Sequence, residues 1–256
     1  MRILITNDDG INSIGLHELI KEIEKENEVI VVAPSEQRSA CGHSVTLHRP
    51  IVIKEVKIDG IKSKAFSVDG TPADCVKIAI DKISSYKFDK IISGINLGYN
   101  LGTDVIYSGT VSAAIEGAIY KIPSIAVSLG YDENIELNFS EDKYRLAAEY
   151  TNKILKQSSN DRLNDVVLNI NVPPIEKNEI KGIKVCELGN RIYQNCYIES
   201  PTKEGEIGYK LQGTPKDIDD ENTDVYNIKR GYVTITPLHY DLTNFKIIKE
   251  VSKWFI

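Results

Sequence analysis

Residues 3–10, Ile-Leu-Ile-Thr-Asn-Asp-Asp-Gly, decide the reading of the fold. A short apolar run gives way to a polar turn, and behind the turn Leu16, Leu19, Ile20 and Ile23 repeat at the i, i+3, i+4, i+7 spacing of an amphipathic helix. Strand, turn and helix in that order begin a βαβ unit. The alternation continues downstream. Segments 29–33, 90–93, 124–129 and 166–172 are short, apolar and bounded by turn residues, as strands buried on both faces should be. Between them, Val111, Ala114, Ile115, Ala118 and Ile119 form one helical stripe, and Tyr144, Ala147, Ala148, Thr151, Ile154 and Leu155 another. The pattern predicts an α/β protein: a Rossmann-like, mostly parallel sheet with helices on both faces, joined by right-handed crossovers.

The chain has 256 residues, 41% of them hydrophobic and 27% charged, enough for one large core with an appendage. After Pro173-Pro174 the character changes. Segments 183–188, 193–199 and 207–211 read as exposed, hairpin-forming strands, 216–221 as a solvated acidic loop, 232–236 as a strand and 244–255 as a final helix. The expected organisation is a catalytic core over 1–175 and an extension over 176–256 that returns to the core with its last strand and helix. A net charge of -6 without a basic stripe argues against polymeric nucleic acid as the main partner. A small anion would need local attraction. Cys41, Cys75, Cys186 and Cys196 form no C-x-x-C pair, so reduced, mostly packed thiols are expected rather than a disulfide framework or a zinc cluster. No leader pattern and no bilayer-length apolar run is present, so a cytoplasmic location without a membrane partner is the expectation.

Asp8 and Asp9 put two like charges where a buried strand ends. In open parallel sheets the loops beyond the carboxyl ends of the strands converge on a ligand crevice. Here the loops at 7–10, 34–39 and 94–98 bring two carboxylates, the Ser39 hydroxyl and the Asn96 amide oxygen. Adjacent carboxylates in a partly dehydrated crevice repel unless a cation lies between them. An oxygen-only donor set suits Mg²⁺ or Mn²⁺, one divalent ion that keeps several waters and takes substrate phosphate. The plainer alternative is that Asp8 or Asp9 caps the helix beginning near Ile14.

A second constellation spans 94–110. Glycines at 94, 98, 102 and 109 allow close backbone approach, and Ser108, Gly109 and Thr110 fall where free N–H groups leave a helix N-terminus, a cradle suited to phosphate. Ser108 or Thr110 as a simple N-cap is the competing reading, and one helix end can serve both roles. Neither a Walker sequence nor a G-x-G-x-x-G fingerprint is present. His17, His43, His48 and His239 are scattered, with a metal role for none; His17 reads as a surface or cap residue, and only His43, in the Ser39 loop, stands near the candidate site. Thr71, Pro72 and Asp74 read as cap, first position and N-terminal acid of a structural helix, and Ser112 as packing rather than a nucleophile.

Several of these segments, in order, resemble the SurE survival-protein family of metal-dependent phosphatases, the 5'/3'-nucleotidases: ILITNDDG, APSEQRSACGHSVTL, VDGTPADCV, SGINLGYNLGTDVIYSGTVSAA and GYVTITPL. The resemblance covers nearly the whole chain. It implies a Rossmann-like core, a divalent metal held by Asp8, Asp9, Ser39 and Asn96, and phosphate contacts from Asn100, Ser108, Gly109 and Thr110. It also implies nucleoside monophosphate substrates, and homodimers or homotetramers formed by exchange of C-terminal segments. Ala40 stands where glycine is common in the family, Thr234 where serine is and Asn227 where alanine is. The expected reaction is phosphomonoester hydrolysis, with Asp8 and Asp9 as the catalytic pair and Asp9 orienting or deprotonating water. Two rivals are weaker. A haloacid-dehalogenase-type phosphatase needs a nucleophilic Asp where Asn7 stands, and a receiver-like phosphoacceptor domain, with Asp69 as acceptor, would be about half this length.

Overall fold

The computed structural model describes residues 1–131, 141–158, 164–194, 197–202 and 205–255. Its core is a nine-stranded sheet with β3 (Ile53–Val56), β4 (Lys64–Val68), β2 (Glu28–Pro34), β1 (Arg2–Thr6), β5 (Lys90–Leu97), β6 (Ser124–Leu129), β7 (Val167–Val172), β13 (Val233–Leu238) and β8 (Ile183–Val185) side by side. The six strands from β4 to β7 run parallel, while β3 and β13 are antiparallel to their neighbours β4 and β7. The doubly wound, Rossmann-like α/β class read from the sequence is therefore the observed one.

Residues Ile3, Leu4 and Ile5 are wholly buried, which is why so short a run suffices for the central strand: each such side chain contributes roughly 1.5–3 kcal/mol by leaving water. On one face, α1 (Ile14–Ile23) and α4 (Glu141–Gln157) pack Leu16, Leu19, Ile20 and Ile23 with Tyr144, Ala147, Ala148, Ile154 and Leu155 over Ile3, Ile5 and Ile92. On the other, α2 (Pro72–Ile78) and α3 (Gly109–Ile119) cover Leu4 and Ile91 with Cys75, Val76 and Ala113. Thr71 and Asp74 close a reciprocal capping box at the start of α2, with Pro72 in its first turn.

Chain order places the crevice. The chain leaves β1 through α1 to β2 on one side, whereas β5 flanks β1 on the other, so loops after β1 and β5 diverge at the switch point where ligands bind in such sheets. The C-terminal part departs from expectation in four places. Segment 183–185 is an edge strand of the main sheet, parallel to β13, rather than part of an exposed hairpin. Segment 193–199 is divided: β9 (Arg191–Gln194) pairs with β12 (Thr214–Asp217), and β10 (Tyr197–Pro201) with β11 (Ile207–Leu211). The start of the acidic run is thus paired strand, since the Asp217 carboxylate, nearly buried, accepts from Arg191 and lies 2.6 Å from Lys229 Nζ. Beyond α5 (Asp224–Ile228), the last helix is short, with α6 (Ile248–Ser252) and one tighter turn at Lys253–Phe255, and it buries nothing. Cys75 and Cys186 are buried thiols, Cys41 is half-buried, and Cys196 lies outside the described residues. No helix among the described residues is long and apolar enough to cross a membrane.

Candidate active site

Asn7 shapes the turn that presents the two aspartates. Its side chain accepts from Gly10 N at 3.2 Å and donates to Gly10 O at 3.0 Å, closing a tight loop, and donates at 2.7 Å to Ser13 Oγ. Ser13 in turn caps α1, so neither Asp8 nor Asp9 is spent as the helix cap. Gly10 has φ +94°, a conformation L side chains rarely adopt, and its α-carbon faces the backbone of Glu36.

Asp8 turns to the α3 side. It is 6% exposed and its Oδ1 accepts from the Thr110 hydroxyl. Ser108 is the N-cap of α3, accepting from Val111 N at 3.0 Å, and the first turn presses against Asp8 so closely that a Cβ added at Gly109 would lie 2.8 Å from Asp8 Cβ and 2.9 Å from both Asp8 Oδ2 and Cys41 Sγ. Asp9 faces the β5 loop, where Leu97 N donates to its Oδ2 and Gln37 Nε2 to its Oδ1, each at 3.2 Å. The Asp8 carbonyl accepts from Arg38 N at 2.7 Å, and Ser39, the next residue, is exposed. Asn96 is the neighbour of Leu97 and donates at 2.8 Å to Gly98 O, turning its amide oxygen the other way. Three loops therefore meet at Asp8 and Asp9 through direct hydrogen bonds.

Asn100 has a different setting. Its backbone N–H donates to Asn171 Oδ1 at 2.9 Å, its carbonyl accepts from Asn169 and Asn171 at 2.8 and 3.0 Å, and its side-chain amide donates to Ser128 Oγ at 2.7 Å. An asparagine ladder on β7 thus fixes the backbone where the 96–104 loop turns away from the sheet. Ser112 is buried and donates to Ser108 O, in keeping with a packing role. His43 does not stand alone in its loop: Nε2 lies 2.7 Å from Glu116 Oε2 on α3, and Lys77 of α2 donates to the other oxygen at 3.0 Å. Asp69, just past the end of β4, is engaged by Arg38 and Arg49.

Electrostatics follow from this burial. Desolvation pushes the Asp8 carboxyl up to about 6, opposed by the Thr110 hydrogen bond and reinforced by the Asp9 charge. Asp9 is also raised, by burial first, against the Leu97 and Gln37 hydrogen bonds that favour its anion. The Tyr144 hydroxyl is pushed up to about 12 by burial and then by Asp9. Among the described residues no Lys, Arg or His forms an ion pair with either aspartate, and no group of three His, Cys, Asp or Glu converges. A cation here would meet two carboxylates and complete its shell with neutral oxygens and water. That donor set fits a hard divalent ion and fits zinc poorly.

Both aspartates, Ser39, Asn96 and the α3 N-terminus, the residues singled out in the sequence, lie in or beside the loops at the carboxyl end of the sheet. Sequence reading missed Gln37, the Leu97 N–H and Tyr144 around Asp9, because each reaches the site from a different element and carries no local signal.

Fold and site define a Rossmann-like α/β protein whose switch-point crevice holds two adjacent carboxylates, Asp8 buried against the N-terminus of α3 and Asp9 half-buried beside the β5 loop. A profile of the family described as survival protein SurE matches residues 3–195. Proteins named 5'-nucleotidase SurE from Clostridium botulinum (strain ATCC 19397 / Type A) and Clostridium tetani (strain Massachusetts / E88) are each 49% identical, over 258 and 256 residues, with the whole of both chains covered. The crystal structure of the Sure protein from Aquifex aeolicus matches with a TM-score of 0.83 at 37% identity, again over the whole of both chains. The chain belongs to the SurE family.

Proposed function

We propose that this protein is a divalent-metal-dependent phosphomonoesterase that hydrolyses nucleoside 5'- and 3'-monophosphates to nucleoside and phosphate. The observation that carries the reading is the pair Asp8 and Asp9: two adjacent carboxylates, one buried and one half-buried, with which no cationic side chain among the described residues forms an ion pair. The names of the full-length relatives support the nucleotidase part. Asp8, Asp9, Ser39 and Asn96 would hold Mg²⁺ or Mn²⁺, and the ion would supply Lewis acidity toward a phosphoryl oxygen and acidify a bound water.

The chain's own groups do the remaining work. Asp9, fixed by Leu97 N and Gln37, orients an attacking water and takes its proton, a task for which a raised carboxyl is better suited than an ordinary one. Ser108, Gly109 and Thr110 place the first N–H groups of α3 toward charge growing on the phosphoryl oxygens. Asn100 braces the end of the phosphate loop through Asn169, Asn171 and Ser128. The protein assembles as a homodimer or homotetramer through its C-terminal segment, a reading supported by the exposed apolar side chains there.

Metal-stripped protein assayed against a panel of 3' and 5' nucleotides, with one metal restored at a time, tests this reading. Phosphate release is expected only after Mg²⁺ or Mn²⁺ is returned, and Asn96→Ala should demand more metal. Asp9→Asn should slow turnover by about 10²–10⁴ without unfolding the protein. Undiminished turnover in Asp9→Asn would reject its role as base.

A further inference from the structure

The C-terminal extension reaches back to the candidate site through buried charge. Arg191 opens β9, opposite Asp217 of β12, and its side chain is only 15% exposed. Nε donates to Asp217 Oδ1 and Nη1 to Asp104 Oδ2, each at 3.0 Å, so one planar fork joins carboxylates from two distant parts of the chain. Lys229, just past α5, lies 2.6 Å from the second Asp217 oxygen, and the Tyr193 hydroxyl donates to Asp104 Oδ2 at 2.6 Å. Two carboxylates and two cations thus balance one another. Burial works against the guanidinium charge, but Asp217 first, and then Tyr193 and Asp104, outweigh it and hold Arg191 above its ordinary value.

Asp104 belongs to the tight turn Gly102–Ile106, which runs into Ser108, the N-cap of α3. The extension grips this turn twice more. The Thr103 hydroxyl donates to Arg191 O at 2.8 Å, and Gly102 N donates at 2.9 Å to Asp224, whose other oxygen accepts from Gly189 N at 2.8 Å. Upstream, Asn100 is anchored to the sheet by Asn169, Asn171 and Ser128; downstream, Val111, Ala114 and Ala118 pack the body of α3 into the core. Between those anchors the chain is held from outside, by the extension and, at Tyr107 O, by Gly42 N at 3.0 Å.

We propose that Arg191 is a positioning residue for the phosphate end of the site: by joining Asp104 to Asp217 it fixes the turn before Ser108, and so the direction in which Ser108, Gly109 and Thr110 face the phosphoryl oxygens. This rests on the phosphatase reading above. Nε and Nη1 are already spent on carboxylates, so Arg191 acts through Asp104 rather than by touching phosphate. The metal end is framed separately, since Asp9 is held by Leu97 N and Gln37 from the loops after β5 and β2. Phosphate affinity therefore depends on Arg191, and metal affinity does not.

The test compares wild type with Arg191→Ala, Asp104→Asn, Asp104→Ala and the double variant carrying both alanines. Inorganic phosphate binding to Mg²⁺-loaded protein and Mn²⁺ binding in phosphate-free buffer are followed by calorimetry, and turnover is measured on adenosine 5'-monophosphate. Arg191→Ala is expected to weaken phosphate about tenfold and to cut kcat by about tenfold or more, with Mn²⁺ affinity within about twofold of wild type. Asp104→Asn keeps the shape, loses the charge and lies outside the extension; it should weaken phosphate about threefold, and it carries the test if Arg191→Ala does not fold. Adding Arg191→Ala to Asp104→Ala should cost less than about twofold more, because residues that act through one contact are not additive. Phosphate affinity unchanged in both Arg191→Ala and Asp104→Asn overturns the assignment. So do losses that multiply in the double variant, which would mean that Arg191 meets phosphate itself, and Mn²⁺ affinity that falls in step with phosphate, which would mean a general loosening. Wild-type protein that binds phosphate yet releases none from the nucleotide under any metal overturns the phosphatase reading alone, and wild type that binds no phosphate overturns both.

Discussion

Asp8 is the residue at which burial and charge conflict most sharply in the crevice. Its carboxyl titrates at about 6 in the folded chain against an ordinary value of 3.8. Between those values the folded protein binds more protons than the unfolded chain, so its unfolding free energy falls as pH rises through that window. A shift of about two units corresponds to roughly 3 kcal/mol lost at neutral pH. Asp8→Asn retains an acceptor for the Thr110 hydroxyl and has no charge to bury. Metal-free Asp8→Asn is therefore expected to exceed the native chain by about 2 kcal/mol at pH 7.5, the gain vanishing below about pH 4; denaturant titrations at both pH values check this, and a gain equal at both would refute the burial argument. Ala40, in the loop that carries Ser39, has φ +52°, a left-handed conformation that favours glycine. Ala40→Gly removes a left-handed strain of about 1–2 kcal/mol at some cost in unfolded-state entropy, so a net gain of about 0.5–1 kcal/mol is expected, seen as a rise of one to three degrees in Tm. The two aspartates were legible because adjacency is a property of sequence. The strain at residue 40 was not, because nothing local announces a positive φ at an alanine.

Element packing determines how tightly the site is framed. The first turn of α3 sits so close to Asp8 and Cys41 that Gly109 has no room for a methyl group. Gly109→Ala must push α3 off Asp8 and is expected to cut turnover by at least about 10² while the helical circular dichroism stays native, since a small displacement of oriented groups is costly to catalysis. A second framing contact is the cluster of His43, Glu116 and Lys77, which ties the long segment between Pro34 and Ile53 to α3 and α2. Burial alone would raise the Glu116 carboxyl, but hydrogen bonds from His43 and Lys77 hold it below its ordinary value. Its contribution is thus complete above the unfolded carboxylate range and is lost only as pH falls through the still lower folded value. Glu116→Ala is expected to destabilise by about 1–3 kcal/mol at neutral pH and to speed proteolysis between residues 35 and 52, whereas Glu116→Gln should retain part of the clamp. Helical periodicity made α1, α3 and α4 readable, and cap chemistry gave α2. The clamp was invisible because its members lie 39 and 73 positions apart.

At the scale of the whole molecule, the part of the sheet whose strands are apolar on both faces was the readable part. Strands β3, β4 and β12 were missed for one physical reason: Ile53–Val56 is an exposed edge with Lys54 and Glu55, Lys64–Val68 carries Lys64 and Ser67, and Thr214–Asp217 carries Lys216 and Asp217, so none shows an apolar run. The extension leaves a different signature. Leu242, Phe245, Trp254 and Phe255 are 93%, 68%, 74% and 83% exposed, although the segment that holds them follows directly on the core strand β13. Apolar side chains so concentrated on one short segment are ordinarily covered by another surface. If a second copy covers them, removing the segment must remove the contact without touching the core, because α6 buries none of its residues within its own chain. A chain ending at Tyr240 is expected to sediment as a monomer and to keep the native circular dichroism, while the full chain sediments as a dimer or tetramer that dissociates on dilution. Leu242→Asp with Trp254→Asp should reproduce the monomer in the full-length chain. A full-length protein that is monomeric at high concentration, with these side chains still exposed to an apolar dye, would mean that a different partner covers the segment.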